Sequence, residues 1–183
     1  TGVMGFNMCR NLMENGGFLK MSVYNRTQSK CDELVAKGAK LCLSPKEVAN
    51  NSDVIFTMVG VPTDLQNVVY GTNELDGIFD GCKSGNILVD MTTSRPELAR
   101  SISRDASKKG IFSIDAPVSG GDIGARDGTL SIMIGGDRKS VESLNPLFES
   151  MGKNIRYMGE SGSGQHTKMS NQILVANNMI GVV

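Results

Sequence analysis

Gly2-Val3-Met4-Gly5-Phe6-Asn7-Met8-Cys9-Arg10-Asn11-Leu12, followed by Met21-Ser22-Val23-Tyr24-Asn25-Arg26-Thr27, decides the fold. Gly2 and Gly5 fit the last two glycines of a G-x-G-x-x-G turn opening a helix, with the first glycine upstream of Thr1. Backbone without a β-carbon can close on a pyrophosphate, which then sits on the positive end of the helix dipole. An ordinary glycine-containing turn is spelled the same way, so the second stretch carries the decision. It reads as a strand, Lys20 to Tyr24, ending in a turn roughly 20 residues on, where a dinucleotide site places the group that reads the ribose.

That turn offers Asn25, Arg26 and Thr27. A carboxylate there favours a free 2′-hydroxyl, whereas the planar guanidinium of Arg26 pairs with a 2′-phosphate, so NADP is favoured and NAD stays possible. The competing reading makes Arg26 a solvated charge beside a helix cap at Thr27. Gly2, Val3, Met4, Gly5, Asn25, Arg26 and Thr27 are therefore the first candidate cofactor-binding residues.

Outward from this unit, short apolar strands alternate with helical segments: Val54 to Val59, Ile87 to Asp90, Ile111 to Asp115 and Ser131 to Gly135. The alternation predicts parallel βαβ units in a doubly wound α/β sheet. Helix starts stand at Thr27-Gln28-Ser29-Lys30, at Ser44-Pro45-Lys46-Glu47 and at Ser94-Arg95-Pro96-Glu97. A final apolar helix runs from about Gln165 to Val183, and a helix this apolar needs a partner to bury against. The expectation is one domain over 1–163 that lacks its first strand. Residues 164–183 then begin a longer helix leading to an absent helical domain.

The 183 residues hold 19 acidic and 19 basic side chains without a charged run, which points away from nucleic acid or a membrane surface and toward a small ligand. Four cysteines, Cys9, Cys31, Cys42 and Cys82, lack metal-ligand spacing and read as reduced thiols. A reducing compartment follows, the cytoplasm or a mitochondrial or plastid matrix, with any targeting peptide upstream of Thr1. The 11 methionines read as gap-filling core residues.

Four segments carry chemistry. Met58 and Val59 leave a strand into an apolar turn, where they either wall a cofactor or simply pack, and Thr93 follows the strand ending at Asp90. Asp115-Ala116-Pro117-Val118-Ser119-Gly120-Gly121 runs a strand end into a turn whose hydroxyl and amides suit a small anion. Gly162-Ser163-Gly164-Gln165-His166-Thr167-Lys168-Met169-Ser170-Asn171-Gln172 sets one lysine and two amides near the start of the last helix. His166 projects about 200° round the helix from Lys168 and reads as surface or interface. Asp122 and Asp127 read as turn residues.

Taken in order, Gly2 to Gly5, Asn25 to Thr27, Asp90 to Thr93, Asp115 to Gly121 and Gly162 to Gln172 resemble the β-hydroxyacid dehydrogenases, in particular 3-hydroxyisobutyrate dehydrogenase-like proteins. The resemblance covers essentially the whole chain. It implies a Rossmann-type domain, a long connecting helix, a helical C-terminal domain and homo-oligomers at full length. It also implies NAD- or NADP-dependent interconversion of a small β-hydroxyacid and its semialdehyde, or reduction of glyoxylate or succinic semialdehyde with NADPH. The family's catalytic lysine falls on Lys168, its carboxylate-binding serine and glycine on Ser119 and Gly120 with Gly121 beside them, and its cofactor-contacting threonine on Thr93. Many relatives carry asparagine four residues after the lysine; here Gln172 stands there and Asn171 precedes it, so both are substrate candidates. Two other readings are a non-catalytic cofactor-binding interaction module and an imine reductase, and Lys168 argues against each.

Overall fold

The structure, a computed structural model, describes residues 2–17 and 20–182. The helices are α1 (Val3–Asn15), α2 (Asp32–Ala36), α3 (Pro45–Asn50), α4 (Pro62–Tyr70), α5 (Ile78–Gly81), α6 (Pro96–Ser107), α7 (Gly121–Asp127), α8 (Arg138–Ser143), α9 (Asn145–Met151) and α10 (Ser163–Ile180). The strands are β1 (Ser22–Val23), β2 (Lys40–Leu41), β3 (Val54–Thr57), β4 (Ile87–Asp90), β5 (Phe112–Asp115), β6 (Val118–Ser119), β7 (Leu130–Gly135) and β8 (Gly152–Gly159). Phe18, Leu19 and the predicted helix end at Val183 lie outside the described residues.

β3, β4 and β5 pair in parallel, and β1 pairs with β2 in a separate parallel ribbon. β7 departs from the expected parallel pattern, running antiparallel to β5 and β6 while β8 pairs with it in parallel. The connection from Ser119 to Leu130 explains this, since a parallel crossover takes about a dozen residues or more and this link holds only the short α7. The same helix replaces the turn expected around Asp122 and Asp127. β8 escapes the sequence pattern because most of its side chains are exposed, leaving no apolar alternation to read.

Alternation along the central strands divides the core. Leu88 packs with Ile55, Leu65, Val69 and Ile102 on one face, while Val89 packs with Met8, Leu12, Ile114, Ile132 and Phe148 on the other. Side chains two-sided in this way bury Leu88, Val89 and Asp90 of β4, as a doubly wound sheet requires. α6 contributes Leu98, Ala99, Ile102 and Ala106, spaced to form one apolar stripe.

Helix starts follow local chemistry. Ser44 Oγ accepts from the Glu47 amide at 3.1 Å and Glu47 Oε2 accepts from the Leu43 amide at 2.8 Å, with Pro45 in the first turn. At the other two predicted starts neither serine nor threonine caps. Asn25 Oδ1 accepts from the Thr27 amide at 2.9 Å, and the N-cap of α6 is Arg95.

α10 inverts the usual helix. Its buried residues are Gly164, Gln165 and Lys168, whereas Met169, Ile173, Leu174, Met179 and Ile180 are exposed. Gly162 precedes it with φ of 91°, a left-handed conformation that favours glycine. A β-carbon on Gly164 would collide with Met133 O and stand 2.6 Å from Asp115 O, so the helix start lies directly on β5 and β7. Gly164→Ala is expected to lower unfolding free energy by about 1–3 kcal/mol. Gly2→Ala, where a β-carbon meets nothing within 4 Å, is expected to change it by less than about 0.5 kcal/mol. Denaturant titration of both variants compares the two positions.

Candidate functional site

Thr57, Asp90 and Asp115 stand side by side at the carboxyl ends of β3, β4 and β5. Asp90 is buried and accepts from Thr57 Oγ1 at 2.8 Å and from the Thr92 amide at 3.1 Å. Thr92 Oγ1 in turn accepts from the Val59 amide at 3.1 Å, tying the exits of β3 and β4 together. Burial pushes the Asp90 carboxyl up to about 6, against these hydrogen bonds and with a smaller push from neighbouring Asp115.

Asp115 is the foot of α10. Its Oδ1 accepts from the Gly162 amide at 2.7 Å and its Oδ2 from the Gln165 amide at 2.9 Å, and the Gly164 amide also donates to it. Burial pushes this carboxyl to about 6 as well, with the amides pulling the other way. Gln165 then reaches sideways, donating from Nε2 to Thr92 O at 2.7 Å and accepting at Oε1 from the Ser94 amide at 2.8 Å. Lys168, three residues on, is 6% exposed, and burial alone lowers its pKa. A buried amine without a charged partner loses its proton more readily than one in water.

The predicted cofactor residues lie at the same edge. Gly2 caps α1 in an extended conformation, Val3 is exposed, and Met4 and Gly5 are half-buried. A β-carbon on Gly5 would rest 3.6 Å from Met58 Cβ, so α1 begins beside the turn that leaves β3. Gly5 thus lies beside Met58, the Val59 amide is bonded to Thr92, and the Thr92–Ser94 turn is bonded to Gln165, three residues before Lys168. Arg26 reaches Asp64 in the first turn of α4 at 3.3 Å and stays largely exposed. Thr93 is exposed between buried Thr92 and half-buried Ser94.

Ser119 is half-buried and joined to Ser131 of β7 rather than to α10, and Gly120 and Gly121 follow it with φ of 132° and 62°. Both values favour glycine and explain the Ser-Gly-Gly spelling. Asn171 is half-buried and donates to the exposed Gln172 through a 3.1 Å bond. His166 is exposed, its Nε2 lying 3.1 Å from Arg100 Nη1. Four residues that build the site carried no predicted role: Thr57, Asp90, Asp115 and Gln165. Aspartates closing two apolar strands were a readable signal for the carboxylates, whereas Gln165 bonds to distant backbone and leaves no local pattern.

A largely parallel sheet covered on both faces, a glycine-bearing first helix and polar groups gathered at the carboxyl strand ends define a dinucleotide-binding fold of Rossmann type. The chain belongs to the family described as the NAD binding domain of 6-phosphogluconate dehydrogenase, which matches residues 1–159. It is 50% identical, over all of its length and 53% of theirs, to the probable 3-hydroxyisobutyrate dehydrogenase-like 1, mitochondrial, of Arabidopsis thaliana. It is 48% identical to the uncharacterized oxidoreductase YkwC of Bacillus subtilis (strain 168), across 99% of the chain and 61% of that protein. Among solved structures, Psf3 in complex with NADP+ and 2-OPP superposes with a TM-score of 0.89 at 28% identity, covering 98% of this chain and 62% of that one. The chain thus spans a little over half the length of these relatives.

Asp90 makes the site measurable through stability. A carboxyl raised from 3.8 to about 6 binds its proton more tightly in the folded chain than in the unfolded one. Its contribution to stability is therefore present below pH 3.8, falls as pH rises through about 6 and is flat above. Between pH 4 and pH 7 the parent is expected to lose about 2 kcal/mol relative to Asp90→Asn. Urea unfolding of the pair at both pH values gives the difference; a gap independent of pH is the contrary result.

Proposed function

We propose that the chain supplies the cofactor-binding side of an NADP(H)-dependent oxidoreductase that interconverts a small β-hydroxyacid and its semialdehyde, with Lys168 as general acid and base. The observation that carries this reading is a lysine buried at the carboxyl ends of a dinucleotide-binding sheet, its pKa lowered by burial alone. Buried lysines are costly, and one without an ion-pair role at this edge is a functional candidate.

The residues fit a dinucleotide. Gly2 has open space around its α-carbon and Gly5 leaves room beside Met58, so a pyrophosphate can approach the first turn of α1. Asn25, Arg26 and Thr27 face the ribose end, with Arg26 taking a 2′-phosphate, and Val3, Met4, Met58, Val59 and Thr93 line the remainder. NAD remains the second cofactor. When bound, the nicotinamide supplies or accepts the hydride. Ser119 with the amides of Gly120 and Gly121 holds the substrate carboxylate and thereby chooses which carbon faces the cofactor. Asn171 and Gln172 donate to substrate oxygen. In reduction Lys168 gives its proton to the oxygen that becomes the hydroxyl; in oxidation it takes that proton away. An amine shifted below its ordinary value performs both steps nearer neutral pH.

We place the dinucleotide-binding domain at 1–163 and assign 164–183 to a helix joining it to the remaining length seen in the relatives. Homo-oligomers belong to this reading. Cofactor consumption by the complete polypeptide is to be followed with NADPH and NADH against methylmalonate semialdehyde, succinic semialdehyde and glyoxylate. Lys168→Ala is expected to lower kcat by about 10²–10⁴. Arg26→Ala is expected to raise KM for NADPH about tenfold and leave NADH unchanged. Turnover that survives Lys168→Ala removes the acid/base assignment. Absence of turnover with every pair returns the non-catalytic module or an imine substrate.

A further inference from the structure

We propose that Gln165 is a positioning residue whose side-chain amide locks the helix carrying Lys168 to the turn that leaves β4, giving the acid/base amine and that turn one mutual placement. The inference rests on the role proposed above for Lys168.

Gln165 is 1% exposed, and both ends of its amide are used on a different element. Nε2 donates to Thr92 O at 2.7 Å and Oε1 accepts from the Ser94 amide at 2.8 Å. These two bonds bracket Thr93 on either side, holding the carbonyl before it and the amide after it. Neither bond helps α10 form, because neither partner belongs to that helix. Gln165 and Lys168 are three residues apart on one helical face, so any slide or rotation of α10 that moves one side chain moves the other.

The clamp matters because ordinary packing does little for this helix. Its buried residues are one glycine and two polar side chains, while its large apolar side chains are exposed. Lys168 is therefore held in place by polar contacts at the helix start rather than by an apolar stripe. The other contacts there are the Asp115 carboxylate from β5, a 3.3 Å bond from Ser161 Oγ to Ala99 O of α6, and the pairing of Arg100 from α6 with His166. Asp90 from β4 lies next to the clamped turn. Of these, only the Gln165 side chain reaches the Thr92–Ser94 turn.

The test uses Gln165→Met, which keeps length and loses both bonds, and Gln165→Asn, which keeps the amide one methylene short of reaching both partners. Lys168 is titrated by NMR in the complete polypeptide labelled at lysine ε-carbons, its signal assigned with Lys168→Arg, so that no substrate is needed. In the parent, Lys168 is expected to titrate below the exposed lysines. In both variants its midpoint is expected to rise toward theirs, because an amine released from its pocket reaches water. With NADPH and whichever aldehyde is turned over, kcat is expected to fall about tenfold or more while KM changes little, and the basic limb of the reductive pH profile moves up with the amine. Ser44→Ala, which weakens the distant cap of α3, is expected to lower Tm without moving the Lys168 midpoint. An unchanged midpoint in folded Gln165→Met and Gln165→Asn overturns the inference, as does loss of fold in both, which makes Gln165 a purely structural residue. Turnover persisting in Lys168→Ala sinks the catalytic reading instead, a separate result from the titration.

Discussion

The buried carboxylate of Asp115 under the first turn of α10 is the constraint on which the site depends. A helix start leaves amide hydrogens without partners, and here Gly162, Gly164 and Gln165 give theirs to one side chain at the end of β5. Charge-assisted bonds and the helix dipole favour the ionised form, yet the carboxyl is pushed up to about 6, so the cost of burial outweighs them. The arrangement is thus poorly explained as a device for stability alone. It does fix the direction in which α10 leaves the sheet, and with it the height of Lys168 above the strand ends.

Glycine makes that contact possible. With Gly162 turned left-handed and Gly164 without a β-carbon, the backbone comes close enough to β5 and β7 for the amides to reach Asp115. The Gly-x-Gly spelling before the lysine is therefore a steric requirement of docking a helix end-on to a sheet, independent of any ligand. Exposed ion pairs contribute little by comparison. Lys37 with Glu14 and Arg138 with Glu142 stand in solvent and Arg26 with Asp64 at its margin, where water and salt screen such pairs.

Particular elements show what the residues reveal unaided. β4 was legible to its ends because Ile87-Leu88-Val89-Asp90 is an apolar run closed by a carboxylate, and α3 because Ser44, Pro45 and Glu47 spell a capping box. Lys168 stands out in the sequence because a cation is conspicuous on an apolar helix behind two glycines, and in the structure it is buried. β8 was not legible, since an exposed strand has polar residues on both sides of its pleat, and the antiparallel turn of β7 depended on the shortness of one connection. Gln165 was least legible of all: its partners are a carbonyl and an amide more than 70 positions away, and backbone atoms have no spelling.

The polarity of α10 follows from these facts. A helix start committed to polar contacts with strand ends cannot also bury an apolar stripe against the same sheet, so its apolar residues face outward from Met169 onward. Lys168 is nevertheless buried beside that polar helix start. Burial there lowers the proton affinity of its amine, because leaving water disfavours the charged form.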